Sequence, residues 1–424
     1  LTISQRFCIL MPKTVQTVKN DHGEGGSGMY VQRIMERTVR NLIEGFPCIA
    51  VTGARQSGKT TFVRRLFPEK AYVSLEDPDQ REFAENDPRG FLDRFPDGAV
   101  LDEAQRTPRL FSYLQGRLDR DGRMGLFILT GSQHFHLLEN ITQTLAGRTA
   151  LLHLPPFCFE ELKNASLLPE KADSTMLKGG YPPIHTRRVE PSSWLSGYTA
   201  TYLERDVRSL LNVRDLSAFQ RFVRLCAGRA GQLLNLSSLS AECGVVHNTA
   251  KAWISVLEAG SIVFLLRPYF RNFNKRLVRT PKLYFLDTGL LCHLLGIRDE
   301  KQLEVHPLRG AVFENMIAAE LLKTRLNEGR EPELYFWRDR SGFEIDFVIE
   351  NNGLLDAVEV KSGRTVTGEF FRALARWKEI AGKDAGGTVL VYGGDDEYQR
   401  EGHLILSWRN AAGIVDRPLE GQAL

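Results

Sequence analysis

The chain has 424 residues, 42% of them hydrophobic and 25% charged, which is the make-up of a folded soluble protein with room for two or three domains. Its formal net charge of +3 is too small to mark the whole chain as a polycation for nucleic acid, and no apolar run reaches the roughly eighteen residues of a membrane-spanning helix. The six cysteines, Cys8, Cys48, Cys158, Cys226, Cys243 and Cys292, are widely spaced without a CxxC pair, which excludes a zinc knot or disulfide framework and fits a reducing, cytoplasmic setting.

Residues 1–28 are polar and close on GEGGSG, with no apolar stretch running into a small-residue cleavage site. They are expected to be a disordered tail or a translated upstream extension, with patterned sequence starting at Met29. The first clear element is the apolar run Cys48–Gly53, which predicts a buried parallel strand. It runs straight into Gly53-Ala54-Arg55-Gln56-Ser57-Gly58-Lys59-Thr60, followed by Thr61 and the helix-like FVRRLF.

Strand, G-x-x-x-x-G-K-[ST] loop and helix together predict a phosphate loop over Gly53–Thr61. The glycines allow backbone angles and close approach that a Cβ forbids. The loop amides and helix N-terminus aim partial positive charge at phosphates. Lys59 is expected on the β- and γ-phosphates and Thr60 on Mg²⁺, so ATP and Mg²⁺ are the predicted ligands.

Ala99-Val-Leu-Asp102-Glu103 is a second apolar strand ending in two carboxylates. Asp102 is predicted to hold the Mg²⁺ shell and Glu103 to orient and deprotonate the attacking water. A third strand, Leu126–Ser132, ends in hydroxyls, and Ser132 or Thr130 is placed to sense the γ-phosphate. After it, Leu145-Ala-Gly-Arg148 offers Arg148 as a charge for the transferring phosphoryl, in cis or to a neighbouring copy in a homo-oligomer. An exposed loop arginine without that role is the plain alternative.

VTGARQSGKTTFVR, LDEAQRTP, LTGSQ, LAGR and GGYP (Gly179–Pro182) together resemble a family of prokaryotic AAA-type ATPases that join the ATPase to a C-terminal domain of unassigned function. The likeness runs from about Met29 to Trp408. It implies an AAA-type parallel sheet over 29–190, with Glu103 catalytic and Arg148 a candidate arginine. No second sensor arginine in a helical lid is evident, which departs from the wider AAA pattern.

Residues 191–300 form a basic middle. A helix is predicted from Ser192 to Leu211, bearing Glu204, Arg205, Asp206 and Arg208. That cluster reads as a solvated, ion-paired face. The resembling family carries a similar YLERDV stretch, which implies an interdomain or nucleotide-facing role for Arg205 or Arg208. From Thr201 to Lys282 there are 13 Lys+Arg against 5 Asp+Glu, a local charge of +8. Leu236–Leu257 reads as helix, turn at Gly244, helix, with Leu236, Leu239, Val245, Trp253 and Leu257 inward and Asn248, Thr249 and Lys251 opening the second helix. Gly260–Leu266 and Lys282–Leu286 are candidate wing strands around Arg271, Lys275, Arg276 and Arg279. This winged-helix-like segment suits DNA, by a helix N-terminus in the major groove and cations on phosphates, or equally a protein partner.

From about 305 to 410 the order is α-β-β-β-α-β. Glu314 lies on the first helix, Asp346 in EIDFVI, and Glu359 and Lys361 two apart on a strand, hence on one face. Carboxylates converging beside a lysine predict a hard-cation site at Asp346 and Glu359, with Lys361 orienting a water. The pattern resembles the PD-(D/E)xK, restriction-endonuclease-like fold, which implies a nuclease constellation of Glu314, Asp346, Glu359 and Lys361. Whether such a domain cuts nucleic acid, or only recognises it in an ATP-switched DNA- or protein-binding regulator, stays open on sequence.

Overall fold

The computed structural model describes residues 29–131, 141, 143–187, 189–203, 215–270, 278–351 and 353–416. Its first sheet is built from β1 (Cys48–Thr52), β2 (Ala71–Ser74), β3 (Ala99–Asp102), β4 (Phe127–Thr130) and β5 (Thr149–His153), all parallel, in the order β2-β3-β4-β1-β5. Continuous apolar runs form these strands because helices cover both faces. On β1, Cys48 and Ala50 pack with Leu101, Leu129, Phe111 and Leu114 on one face. Ile49 and Val51 pack with Val100, Ile128, Phe62 and Val63 on the other. Such a sheet presents its ligand site beyond the carboxyl ends of its strands, where the loops after β1 and β3 meet the end of β4.

The helix expected from Ser192 begins at Pro191, is α-helical to Tyr198 and widens to a π-turn over Thr199–Leu203. Glu204, Arg205, Asp206 and Arg208 lie outside the described residues. Among the described residues the next helices are Leu216–Ala227, Leu236–Cys243 and His247–Ala259. Trp253 sits edge-on to Phe219 and Phe222 between them. Leu239, Trp253 and Leu257 are buried, with Leu236 and Val245 packed against the same core. His247, Asn248 and Lys251 are exposed, as is Val246 at 70%. β6 (Val263–Pro268) and β7 (Lys282–Phe285) form an antiparallel hairpin, and Leu233 bridges to Lys282. Arg271, Lys275 and Arg276 fall outside the described residues.

That hairpin does not stand alone. Together with β8 (Leu334–Arg338), β9 (Glu344–Asn351), β10 (Leu354–Lys361), β11 (Ala385–Tyr392), β12 (Tyr398–Arg400) and β13 (His403–Ser407) it makes one eight-stranded sheet, ordered β12-β13-β11-β10-β9-β8-β6-β7. β6 pairs in parallel with β8 through Arg267–Tyr335 and Pro268–Phe336. A boundary near residues 300–305 therefore runs through a shared sheet and a shared apolar core. The physical reason is that the outer edge of β8 would expose unpaired backbone groups without β6.

The helix Arg309–Asn327 joins this assembly to the first sheet. Its last turns are buried almost all round, and polar groups there reach across: Glu320 accepts from the Phe159 amide at 2.7 Å, Lys323 donates to the Phe157 carbonyl at 3.0 Å, and Thr38 donates to the Asn327 carbonyl at 2.7 Å. Burial pushes the Glu320 carboxyl up to about 7 against its ordinary 4.5, with Lys323 opposing. The folded protein then holds this proton more tightly than the unfolded chain. The stabilisation that results is complete below about 4.5 and is lost as pH rises through about 7. Chemical denaturation from about pH 5 to about pH 8 should show wild type losing on the order of 3 kcal/mol relative to Glu320→Gln. Parallel pH profiles for the two proteins would contradict this assignment.

Among the described residues no helix is long and apolar enough to cross a membrane. Cys48, Cys158, Cys226, Cys243 and Cys292 are buried free thiols.

Candidate functional site

The loop after β1 is shaped by two glycines. Gly53 has φ +144°, and a Cβ there would stand 2.3 Å from the Leu154 carbonyl oxygen. Gly58, at φ +92°, precedes the Lys59–Leu66 helix. Lys59 is buried and its ammonium donates to the carbonyls of Gly53 and Ala54 at 3.0 and 2.9 Å. The Ser57 hydroxyl is buried inside the loop with no hydrogen-bond partner among the described residues. Thr60 and Thr61 open the helix on its exposed side.

Thr60 Oγ1 donates to Asp102 Oδ2 at 2.9 Å, which ties the loop to the end of β3. Asp102 is itself 5% exposed and also accepts from Tyr72 at 2.5 Å and from Thr130. Three hydroxyls from three elements thus fix one carboxylate. Of the two hydroxyls expected at the end of β4, Thr130 reaches this cluster; Ser132 lies outside the described residues. Glu103 follows with φ 57° and ψ 43°, a left-handed conformation that costs a non-glycine residue of order 1–3 kcal/mol. Gln105 Nε2 holds its Oε2 at 2.5 Å.

Arg148 is not brought to this place within the chain. It precedes β5 at the Cys48 end of the sheet, where its carbonyl accepts from the Cys48 amide, and its guanidinium pairs with Asp119. Parallel strands put their N-terminal ends on the edge opposite the loop. A role at phosphate would therefore need a second copy of the chain.

Sequence reading missed the support behind the loop. Arg33, 4% exposed, donates to the Ser57 carbonyl at 2.9 Å, the Pro155 carbonyl at 2.6 Å and Glu161 at 2.8 Å. Its guanidinium also lies 5.0 Å from the centre of the Phe157 ring. GGYP packs alongside: Gly180 donates to Asp287 at 2.6 Å and accepts from the Phe157 amide at 2.8 Å. A Cβ on Gly58 would meet the Pro182 ring at 3.7 Å.

The predicted C-terminal constellation also gathers, with additions. Lys361 donates to Glu359 at 2.8 Å and lies 3.8 Å from Asp346, which accepts the Val360 amide at 2.9 Å. Glu314 accepts from Tyr284 at 2.5 Å and from Lys282 at 3.2 Å, and Lys282 also pairs with Glu344. Burial, then the Asp346 charge, push the Glu359 carboxyl up to about 8, and both raise Glu314. Burial opposes the charge of Lys282, yet Glu314, Glu344 and Asp346 outweigh it and raise its pKa. Among the described residues no three carboxylate, imidazole or thiolate groups meet as a metal cage. Lysines stand beside the carboxylates of the expected hard-cation site, Lys361 on Glu359 and Lys282 on Glu314 and Glu344.

A phosphate loop tied to a strand-end carboxylate on a β2-β3-β4-β1-β5 sheet defines an AAA-type P-loop ATPase domain. A family model described as an AAA domain matches residues 45–163, and two described as domains of unknown function, DUF8612 and DUF4143, match 169–301 and 309–410. The uncharacterized proteins Rv2008c of Mycobacterium tuberculosis and Mb2031c of Mycobacterium bovis are each 31% identical over 365 residues, covering 85% of this chain and 79% of theirs. The chain belongs to the same family as these two mycobacterial proteins. Among solved structures, the Walker-type ATPase PABY2304 of Pyrococcus abyssi is 15% identical with a TM-score of 0.42, covering 61% of this chain and 94% of that one. The RuvB Holliday junction branch migration motor of Thermotoga maritima is 18% identical with a TM-score of 0.28, covering 55% and 86%.

Proposed function

We propose that this protein is a Mg²⁺-dependent ATPase that engages DNA through the helices and hairpin of residues 216–285 and through a nuclease-like C-terminal sheet. The observation that carries the ATPase reading is the Thr60–Asp102 hydrogen bond, which closes the phosphate loop onto β3 with Glu103 next in line. The residues present fit the nucleotide. Ser57 offers a buried hydroxyl with no partner among the described residues, Gly53 lets the loop backbone turn tightly against the Leu154 carbonyl, and Lys59 stands in the loop on carbonyls it can exchange for phosphate oxygens.

Thr60 and Asp102 would hold Mg²⁺, which when bound neutralises charge on the phosphates. Lys59 binds and orients the phosphate chain. Glu103, held at Oε2 by Gln105, takes the proton of the attacking water. Tyr72 and Thr130 keep Asp102 turned toward Thr60.

DNA engagement is supported by the local charge of +8 over 201–282 and by the exposed start of the His247–Ala259 helix. The helix, bridge, helix, helix, hairpin order supports the winged-helix reading. Phosphate contact makes affinity fall with salt, so duplex binding that stays flat between low and moderate salt would refute it. Nuclease action is tested on supercoiled and linear DNA with Mg²⁺ or Mn²⁺, with and without ATP. Cleavage lost in both Asp346→Ala and Lys361→Ala supports it. The second reading, an ATP-switched DNA- or protein-binding regulator that does not cut, is favoured by the lysine pairing of the carboxylates and predicts no cleavage with either metal.

A further inference from the structure

The lysine that closes the C-terminal cluster does not come from the segment that supplies the carboxylates. Lys282 is the first residue of β7, in the hairpin that follows the exposed helix, and its side chain is 3% exposed. It pairs with Glu314 on the Arg309–Asn327 helix and with Glu344 on β9. Its ammonium lies 5.5 Å from the centre of the Phe336 ring. Tyr284, two residues on and so on the same face of the strand, gives Glu314 Oε1 its second donor. On the other side of the cluster, Lys361 donates to Glu359 and the Val360 amide donates to the Asp346 carboxylate.

Buried charge is tolerated when it is paired and hydrogen-bonded, and is expensive when a partner is lost. Four carboxylates, Glu314, Glu344, Asp346 and Glu359, face two ammonium groups here. A divalent cation would have to compete with an ammonium held by two carboxylates and anchored in a sheet strand, since β7 pairs with β6 and bridges to Leu233. We propose that Lys282 is a tethered cation that closes the C-terminal carboxylates to divalent metal, so that the metal site of the nuclease-like reading forms only when this lysine is removed or withdrawn. The inference rests on that reading, and gives the residues 216–285 unit a direct hold on the C-terminal site.

Mn²⁺ is titrated into nucleotide-free protein and free ion followed by electron paramagnetic resonance, for wild type, Lys282→Gln and Lys282→Arg, each with and without Glu359→Gln. Lys282→Gln keeps a donor for Glu314 while removing the charge; Lys282→Met replaces it if its unfolding is not cooperative. Removing one unit charge beside the ion should tighten Glu359-dependent Mn²⁺ binding at least roughly tenfold, while Lys282→Arg stays as weak as wild type. Equal Glu359-dependent binding in wild type and Lys282→Gln overturns the inference and leaves the nuclease-like reading standing. No Glu359-dependent binding in any variant overturns both.

Discussion

Glu103→Gln is expected to bind ATP as tightly as wild type and to turn it over roughly two to four orders of magnitude more slowly, the usual contribution of a positioned general base. The substitution keeps the shape and hydrogen-bonding reach of the side chain and removes only the ability to accept a proton. Neither Lys59 nor Thr60 loses a partner, because their contacts run to loop carbonyls and to Asp102. Lys59→Ala makes the contrast, since it removes the charge that meets the phosphates and should lose binding itself. Nucleotide affinity by fluorescent-analogue titration and turnover by phosphate release separate the two. Wild-type turnover in Glu103→Gln would falsify its role as base. The strained backbone at φ 57° argues for that role independently, because a left-handed glutamate persists only where the surrounding structure holds it.

The ATPase half was readable because its signals are local. Gly53 to Thr60 is one contiguous loop, and Asp102 and Glu103 end a run of apolar residues whose burial needs no distant information. The arrangement in space of the C-terminal four was also readable, since Glu359 and Lys361 share a strand face and Asp346 is on the neighbouring strand. What the sequence hid were partners far along the chain. Arg33 reaches Ser57, Pro155 and Glu161 across 24, 122 and 128 residues, and no spacing rule marks it out from other arginines near a chain end. Lys282 reads as one more cation in a basic wing; only the pairing of β6 with β8 carries it in among carboxylates. The same pairing joins the middle and C-terminal units in one sheet across the boundary expected near 300–305. Of the two roles expected of Arg148, in cis or from a neighbouring copy, only the first is at odds with the fold. LAGR matches a pattern, but strand direction puts it on the far edge of the sheet.

Arg33→Met should cost about 3–5 kcal/mol in unfolding free energy, the usual penalty for stripping one partner from a buried ion pair. Glu161, 0% exposed, would keep its bonds from the Ile34 and Cys158 amides but lose its counter-charge. The Ser57 and Pro155 carbonyls would lose their donor. Arg33→Lys keeps the charge without the planar fork that serves three acceptors at once, so it should recover only part of the loss. Adding Glu161→Gln to Arg33→Met removes the stranded charge and should return part of the stability, with a coupling of about 0.5–3 kcal/mol. A merely structural role would stop there. Because Arg33 grips the carbonyl of Ser57, inside the phosphate loop, nucleotide affinity should also weaken while turnover at saturating ATP is nearly kept, a rise in KM without a matching fall in kcat. The same anchor adjoins Phe157, whose carbonyl Lys323 holds from the helix that carries Glu314, so loosening it should reach the C-terminal carboxylates as well. An Arg33→Met protein that unfolds at the wild-type denaturant midpoint with unchanged KM would show that this buried arginine neither braces the loop nor links it to the second site.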